Sequence, residues 1–153
     1  MSNNYTIIEN NFLSKKSKNR YASSNVEFIV WLHQNHSHLI RPALKAELDV
    51  IEENSEELDE KKKIAKRRKV IKEGWLDKME KDHPEYCPVL MEDITYEEIA
   101  IFMAGKKTDE GKYYGKSTYD GIRSACMFLF TMSNVTPSDE FRTRMTTFLK
   151  GFK

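Results

Sequence analysis

The chain has 153 residues and a net charge of +1, with 25 Lys and Arg against 24 Asp and Glu. This length suffices for one domain with its own core, and a charge near zero neither favours nor excludes nucleic acid as a partner. With two cysteines, no signal-peptide pattern and no apolar run of about 20 residues, we expect neither a disulfide framework nor a membrane partner.

Residues 1–18 are polar and are predicted to be a flexible arm in front of a single domain, residues 19–153. A small basic cluster, Ser14–Arg20, favours either a solvated tail or an arm that touches a DNA backbone. The first helix is predicted from Asn19 to about Asn35. Its wide apolar stripe, typical of a core helix, comprises Tyr21, Phe28, Ile29, Trp31 and Leu32.

Three histidines, His33, His36 and His38, follow this stripe and suggest zinc at first sight. No cysteine or carboxylate at suitable spacing completes a tetrahedral set. His83 and Cys87 are two further ligand types, but two ligands do not make a site. We therefore predict no metal and no cofactor.

A second helix is predicted to begin at Pro42, which suits a first helical turn, with an apolar stripe at Leu44, Leu48 and Ile51. A charged helical segment is predicted within residues 53–82. Asn54 and Glu57 form a possible capping box at its start. The apolar positions of that segment are Leu58, Ile64, Ile71, Trp75 and Met79.

The segment 61–72, KKKIAKRRKVIK, contains eight Lys or Arg among twelve residues and follows an acidic stretch, residues 47–60. Three interpretations remain open. The block can be a solvated helix face with ion pairs between turns, a surface that contacts DNA phosphates, or a nuclear localisation signal. As DNA-contacting residues we select Lys66, Arg67, Arg68 and Lys69.

Two further helices have recognisable start signals. Thr95 is predicted as an N-cap with Glu98 as its capping-box partner, and Gly105 ends that helix. Thr136 is predicted to cap the last helix, with Pro137 at its first position, and Gly151 stops it. No segment alternates long enough to be a convincing strand, so we predict an all-α bundle of four to six helices.

The most informative stretch is residues 116–130, KSTYDGIRSACMFLF. Ser117 and Asp120 are predicted to form a capping box, and the apolar face comprises Tyr119, Ile122, Cys126, Leu129 and Phe130. The other face carries donors near a helix N-terminus, which attracts phosphate. The preceding loop places four lysines, Lys106, Lys107, Lys112 and Lys116, around Tyr113 and Tyr114.

This stretch resembles the last part of the core-binding domain of tyrosine recombinases, especially the Crypton-type recombinases of mobile elements. The similarity lies in Ser117-Thr118-Tyr119, in Arg123 and in the segment 150–153, KGFK, with looser similarity in residues 19–32 and 94–99. The resemblance implies a single orthogonal bundle with a SAM-like fold. It also implies a domain that clamps double-stranded DNA for recombination or integration, in the nucleus if the source is eukaryotic.

In that family the catalytic arginine, lysine, His-x-x-Arg pair and nucleophilic tyrosine belong to a separate C-terminal domain, and we expect none of them in this chain. Tyr119 is predicted to be a core residue, whereas Tyr113 and Tyr114 either pack on sugar or phosphate or cover the domain. The DNA-contacting residues that we predict in this part of the chain are Lys106, Lys107, Lys112, Tyr113, Lys116, Ser117, Thr118 and Arg123. Protomers of the same kind are a further expected partner, and no small-molecule substrate is expected. The alternative function is a helical protein-interaction module that docks through its charged helix.

Overall fold

A computed structural model describes residues 15–54, 59–81 and 83–152, with the backbone alone for residues 15–19. Within these ranges the chain is all-α, as predicted, and extended pairing is limited to two isolated bridges. The helices are α1 (Lys15–Asn35), α2 (Pro42–Glu53), α3 (Glu60–Ile71), α4 (Tyr96–Gly105), α5 (Lys116–Met132) and α6 (Asp139–Leu149). Helix α3 continues through a π turn (Lys72–Leu76) and a last α turn (Asp77–Glu80). No helix in the described ranges is long and apolar enough to cross a membrane.

Helices α1 and α5 pack against each other along their lengths, in opposite directions. The ring of Tyr21 lies 5.4 Å from that of Phe128, near the start of α1 and the end of α5. In the middle, the buried Asn25 donates a hydrogen bond from Nδ2 to the carbonyl of Ala125, at 3.2 Å. The predicted apolar face of α5 is buried throughout, so this pair forms the centre of the core.

Several helix ends lie where the sequence predicts them. Pro42 is the first residue of α2. Thr95 and Glu98 form the predicted capping box of α4, in which the Thr95 N–H donates to the Glu98 carboxylate at 3.1 Å. Gly105 is the last residue of α4, and α6 ends two residues before Gly151. Capping chemistry and proline position therefore determine these ends locally.

The predicted starts of α1, α3 and α6 are wrong, and a competing cap explains those of α3 and α6. Asn54 is the C-cap of α2, whereas Asp59 caps α3 by accepting from the Lys62 N–H at 2.8 Å. Ser138, not Thr136, caps α6 by accepting from the Phe141 N–H at 3.1 Å. Helix α1 begins at residue 15, so the last four residues of the predicted arm are helical; residues 1–14 and Glu57 lie outside the described part of the chain.

The buried face of α3 differs from the one predicted. Ile64, placed on the apolar stripe by the sequence, is 44% exposed. The buried positions recur every four residues, at Lys63, Arg67, Ile71, Trp75 and Met79, and Leu76 beside Trp75 is buried as well. Near the end of α3, the indole Nε1 of Trp75 lies 3.4 Å from a Glu47 oxygen, which ties α3 to α2.

Candidate nucleic-acid interface

The basic loop between α4 and α5, residues 106–115, folds as a small hairpin. Lys107 and Tyr113 form an antiparallel bridge. The Thr108 N–H donates to the Lys112 carbonyl at 2.8 Å, and the Gly111 N–H donates to the Thr108 carbonyl at 2.9 Å. Gly111 has a φ of 81°, a left-handed conformation that glycine adopts without steric cost. The hairpin therefore presents its lysines on a defined backbone.

Tyr119 anchors this hairpin to α5. Its side chain is fully buried, as predicted. Its hydroxyl donates to the Lys106 carbonyl at 2.7 Å and accepts from the Tyr114 N–H at 3.0 Å. Its ring stacks on Phe152 with 3.8 Å between centroids. Because the hydroxyl is engaged both as donor and as acceptor by backbone groups, the geometry fits a structural role.

The hairpin lysines have different surroundings. The Lys106 ammonium pairs with Glu27 at 2.7 Å and lies 5.8 Å from the centre of the Tyr114 ring. The Lys107 ammonium lies 5.0 Å from the centre of the Tyr113 ring. Lys112 is highly exposed, and its nearest carboxylate is 4.0 Å away. Ring contacts of this kind attract the cation electrostatically and help to hold it in place.

The start of α5 differs from the prediction. Gly115, not Ser117, occupies the N-cap position, and no side chain caps the first turn. Because the helix begins earlier, Asp120 is available to pair with Lys116, at 3.2 Å, instead of closing a capping box. The first-turn N–H groups thus retain the anion-attracting character of an uncapped helix start.

A groove runs between α1 and α5 and contains two of the predicted contact residues of α5, Ser117 and Thr118. Lys106 lines the same groove from the hairpin. The α1 side contributes Arg20, Ser23, Ser24 and Glu27. Sequence reasoning did not select these α1 residues individually, although Arg20 belongs to the basic cluster noted before the first helix.

Arg123 lies outside this groove. It is exposed, and it has no ion-pair partner among the described residues. Seven residues, close to two turns, separate it from Lys116, so the two side chains lie on one side of α5. Ser117 lies about 120° from Arg123 around the helix axis. The structure therefore divides the predicted contacts of α5 between two sides of the helix.

The basic block of α3 is divided as well. Lys66, Arg68 and Lys69 are exposed, as a contact surface requires. Arg67 is 6% exposed, and its guanidinium pairs with Glu52 and, at 3.3 Å, with Glu60. The helix phase turns Arg67 inward, so we leave it out of the candidate interface.

A second groove separates α1 from α3 and contains Arg68, Lys69, Lys72 and Glu73. Ser23 lines this groove and also the groove between α1 and α5. The exposed face of α1 therefore lies between the two basic clusters, 106–117 and 66–72, which are far apart in the sequence. Lys72 joins the candidate interface because it is exposed and lines this groove.

Other chemistry-bearing residues are occupied in packing. His33 Nε2 lies 2.7 Å from Asp49, and Lys45 lies 2.8 Å from the same carboxylate. Two hydrogen bonds, the stronger influence from Lys45 and the lesser from His33, hold the pKa of Asp49 below its ordinary value. In the described ranges, no three His, Cys, Asp or Glu side chains are grouped to hold a metal ion.

Both cysteines are free and buried. Burial raises the pKa of the Cys87 thiol to about 11 and that of the Cys126 thiol to about 12. Both therefore remain protonated near neutral pH, and a protonated thiol is a poor nucleophile. The predicted role of Cys126 as a small buried hydrophobe agrees with this placement.

One correction concerns the His-x-x-Arg spacing, which we expected to be absent and which residues 38–41, HLIR, do contain. Arg41 Nε donates to the Cys87 carbonyl at 2.7 Å, and the Arg41 N–H donates to the Pro88 carbonyl at 3.0 Å. His38 is exposed in the middle of a 3₁₀ turn (Ser37–Leu39). Arg41 thus ties the start of α2 to the segment after α3, which is a structural role.

In comparisons with known proteins, no family model, no curated protein and no solved structure matches this chain.

Proposed function

We propose that this chain is a DNA-binding domain of the core-binding type found in tyrosine recombinases, and that it grips duplex DNA with the exposed face of α1 and the two grooves beside it. The observation that carries the proposal is that one basic cluster lies on each side of α1. The sequence resemblance in residues 117–123 and 150–153 supports the kind of domain.

The charges of the two grooves favour phosphate. Together they contain five basic residues, Arg20, Lys106, Arg68, Lys69 and Lys72, against two acidic residues, Glu27 and Glu73. Glu27 is paired with Lys106, which lowers its repulsion of an approaching phosphate. Ser23, Ser24, Ser117 and Thr118 add hydroxyl donors. Contacts of this type fix the position of a protein on the duplex without reading its sequence.

Sequence reading is assigned to Arg123. Its guanidinium is exposed, without an ion-pair partner among the described residues, and its fork matches the two acceptors of guanine in the major groove. Lys116 lies on the same side of α5 and would contact the adjacent backbone. The catalytic steps of recombination require residues that we do not assign to this chain.

The test is fluorescence anisotropy of the whole chain with a labelled duplex of about 30 base pairs across a salt series. We expect affinity to fall steeply as salt rises. Arg68→Ala/Lys69→Ala should weaken binding and lower the salt slope by about 1.8, because each lost phosphate contact lowers it by about 0.9. Lys116→Ala/Arg123→Ala should weaken binding as well.

The matched control is Lys81→Ala/Arg142→Ala, which removes the same charge from exposed positions that line neither groove and that belong neither to α5 nor to the two basic clusters. It should leave the slope nearly unchanged. An equal loss in the control would show that net charge, not the α1 face, determines binding. Absence of duplex binding at low salt, with a mass that rises with protein concentration, would favour the protein-interaction alternative.

A further inference from the structure

An aromatic cleft lies beside the candidate interface, between the hairpin and the end of α6. Its volume is about 500 Å³, and it is lined by Ala104, Tyr113, Tyr114, Phe148, Gly151 and Phe152. This volume lies within the range of small-molecule sites and accommodates a planar heterocycle. Tyr113 is 51% exposed and Tyr114 is 40% exposed, so the rings are accessible from solvent.

The rings have the arrangement of a stacking platform. Phe152 meets Tyr113 and Phe148 edge to face, each at 5.3 Å between centroids. Phe152 is itself stacked on the buried Tyr119, which holds its ring in place from the core side. A platform held by a core residue binds a flat ring at little cost in side-chain entropy.

The charges around the cleft indicate what kind of ring it would take. The ammonium groups of Lys106 and Lys107 lie close to the rings of Tyr114 and Tyr113, and Lys112 is exposed on the same hairpin. An aromatic platform beside several lysines is the combination by which proteins bind unpaired nucleotides, through base stacking and phosphate contact.

The cleft and the groove between α1 and α5 share no lining residue, but Lys106 links them. Lys106 lines that groove, and its ammonium lies 5.8 Å from the ring of Tyr114, which lines the cleft. For a strand that leaves a duplex bound at the α1 face, the aromatic cleft is therefore the neighbouring surface beyond Lys106.

We infer that this cleft binds an unpaired base of a nucleic-acid strand, adjoining the duplex-binding face. The inference rests on the proposed duplex binding for the position of the strand, whereas the shape and lining of the cleft do not depend on that proposal. Tyr114 is the residue that we expect to stack on the base opposite the platform of Phe152, Tyr113 and Phe148. Its ring makes no ring-to-ring contact among the described residues, whereas that of Tyr113 lies 6.1 Å from Tyr119 and 5.3 Å from Phe152.

The experiment compares the whole chain on a blunt duplex and on the same duplex with an overhang of about three nucleotides that contains 2-aminopurine. We expect the overhang to tighten binding roughly fivefold or more, the gain typical of one stacked base, and to quench the 2-aminopurine fluorescence. Tyr114→Ala should abolish both effects. Tyr114→Phe, which retains the ring, should preserve them.

Each outcome decides on the aromatic cleft, on the proposed duplex binding, or on both. Equal affinity for both duplexes, or a preference that survives Tyr114→Ala, overturns the cleft and leaves duplex binding in place. Binding to the free single strand that depends on Tyr114, without blunt-duplex binding, supports the cleft and overturns the proposed function. No binding to any of the three overturns both. Polyglutamate carries negative charge but no base. If it displaced the overhang duplex as effectively as the single strand does, the lysines alone would account for the binding, which would also overturn the cleft.

Discussion

The hairpin and helix α3 are the two basic regions of this protein, and they present their charges by different means. The hairpin is short, and its backbone is fixed by Gly111 and by the hydroxyl of Tyr119. Its lysines all remain at the surface, with Lys106 the least exposed of them. The density of charge in the sequence is lower here than in α3, yet no lysine of the hairpin is buried, and only Lys106 has a close carboxylate partner, Glu27, among the described residues.

In α3 the basic run is longer, but a helix distributes consecutive residues around its whole circumference. Lys63 and Arg67 are each 6% exposed, whereas Lys66, Arg68 and Lys69 face solvent. Arg67 and Arg68, adjacent in the sequence, therefore have opposite roles. A count of basic residues overestimates the charge that a helix offers to a ligand, and it does so far less for a hairpin.

Among the substitutions, the largest effect on stability is expected from Tyr119→Phe, which tests whether the hairpin depends on one hydroxyl. The change leaves the Lys106 carbonyl and the Tyr114 N–H without their partner. We expect the free energy of unfolding to fall by about 2 kcal/mol, measured by urea unfolding. Tyr114→Phe is the control, because its hydroxyl has no hydrogen bond in the described residues, and it should change stability by less than about 0.5 kcal/mol. Equal losses in the two variants would mean that the hydroxyl of Tyr119 does not hold the hairpin.

A smaller effect is expected from Arg67→Ala, which tests the division of charges in α3. Arg67 loses its pairs with Glu52 and Glu60 and the packing of its stem. Since Glu52 and Glu60 are largely exposed and can rehydrate, we expect a loss of about 1 kcal/mol. Arg68→Ala should change stability by less than about 0.5 kcal/mol and should weaken duplex binding instead. The reverse pattern, with Arg68 stabilising the fold and Arg67 binding DNA, would contradict the helix phase described above.

Much of the fold is predictable from local signals. Apolar periodicity locates α1, α2, α4, α5 and α6, and the buried state of Tyr119 follows from its place on the stripe of α5. Capping signals are less reliable where two candidates lie close together. Ser117 and Thr136 each have the right chemistry, but Gly115 and Ser138 occupy the cap positions. Ser138 accepts from the Phe141 N–H, whereas α5 begins without a side-chain cap.

The candidate site is predictable in composition but not in assembly. The sequence shows two basic clusters and the tyrosines between the lysines. It does not show that α1 lies between the clusters, because Lys106 and Glu27 are 79 residues apart in the chain and meet only through tertiary packing. Nor does it show the aromatic cleft, which requires the end of α6 to return to the hairpin.

The π turn of α3 has a consequence for how this helix tolerates a change in length. Core residues spaced every four positions drift by about 40° per step around a regular α-helix, so Lys63 and Met79 would point in very different directions. The π turn at Lys72–Leu76 takes up one extra residue and returns Trp75 and Met79 to the core side. Deleting Gly74 would place Trp75 three positions after Ile71, and a plain α-helix then satisfies the same face.

We therefore expect the chain without Gly74 to fold with nearly unchanged helicity and stability, measured by circular dichroism and urea unfolding. Inserting one alanine after the exposed Ala65 is the control, because the extra residue rotates Lys63 about 100° further from the rest of the buried face and should destabilise the protein. Similar damage from the two changes would show that the π turn itself, and not the phase that it restores, is what the fold requires. The π turn is in this sense a one-residue insertion that the bundle has absorbed without losing register.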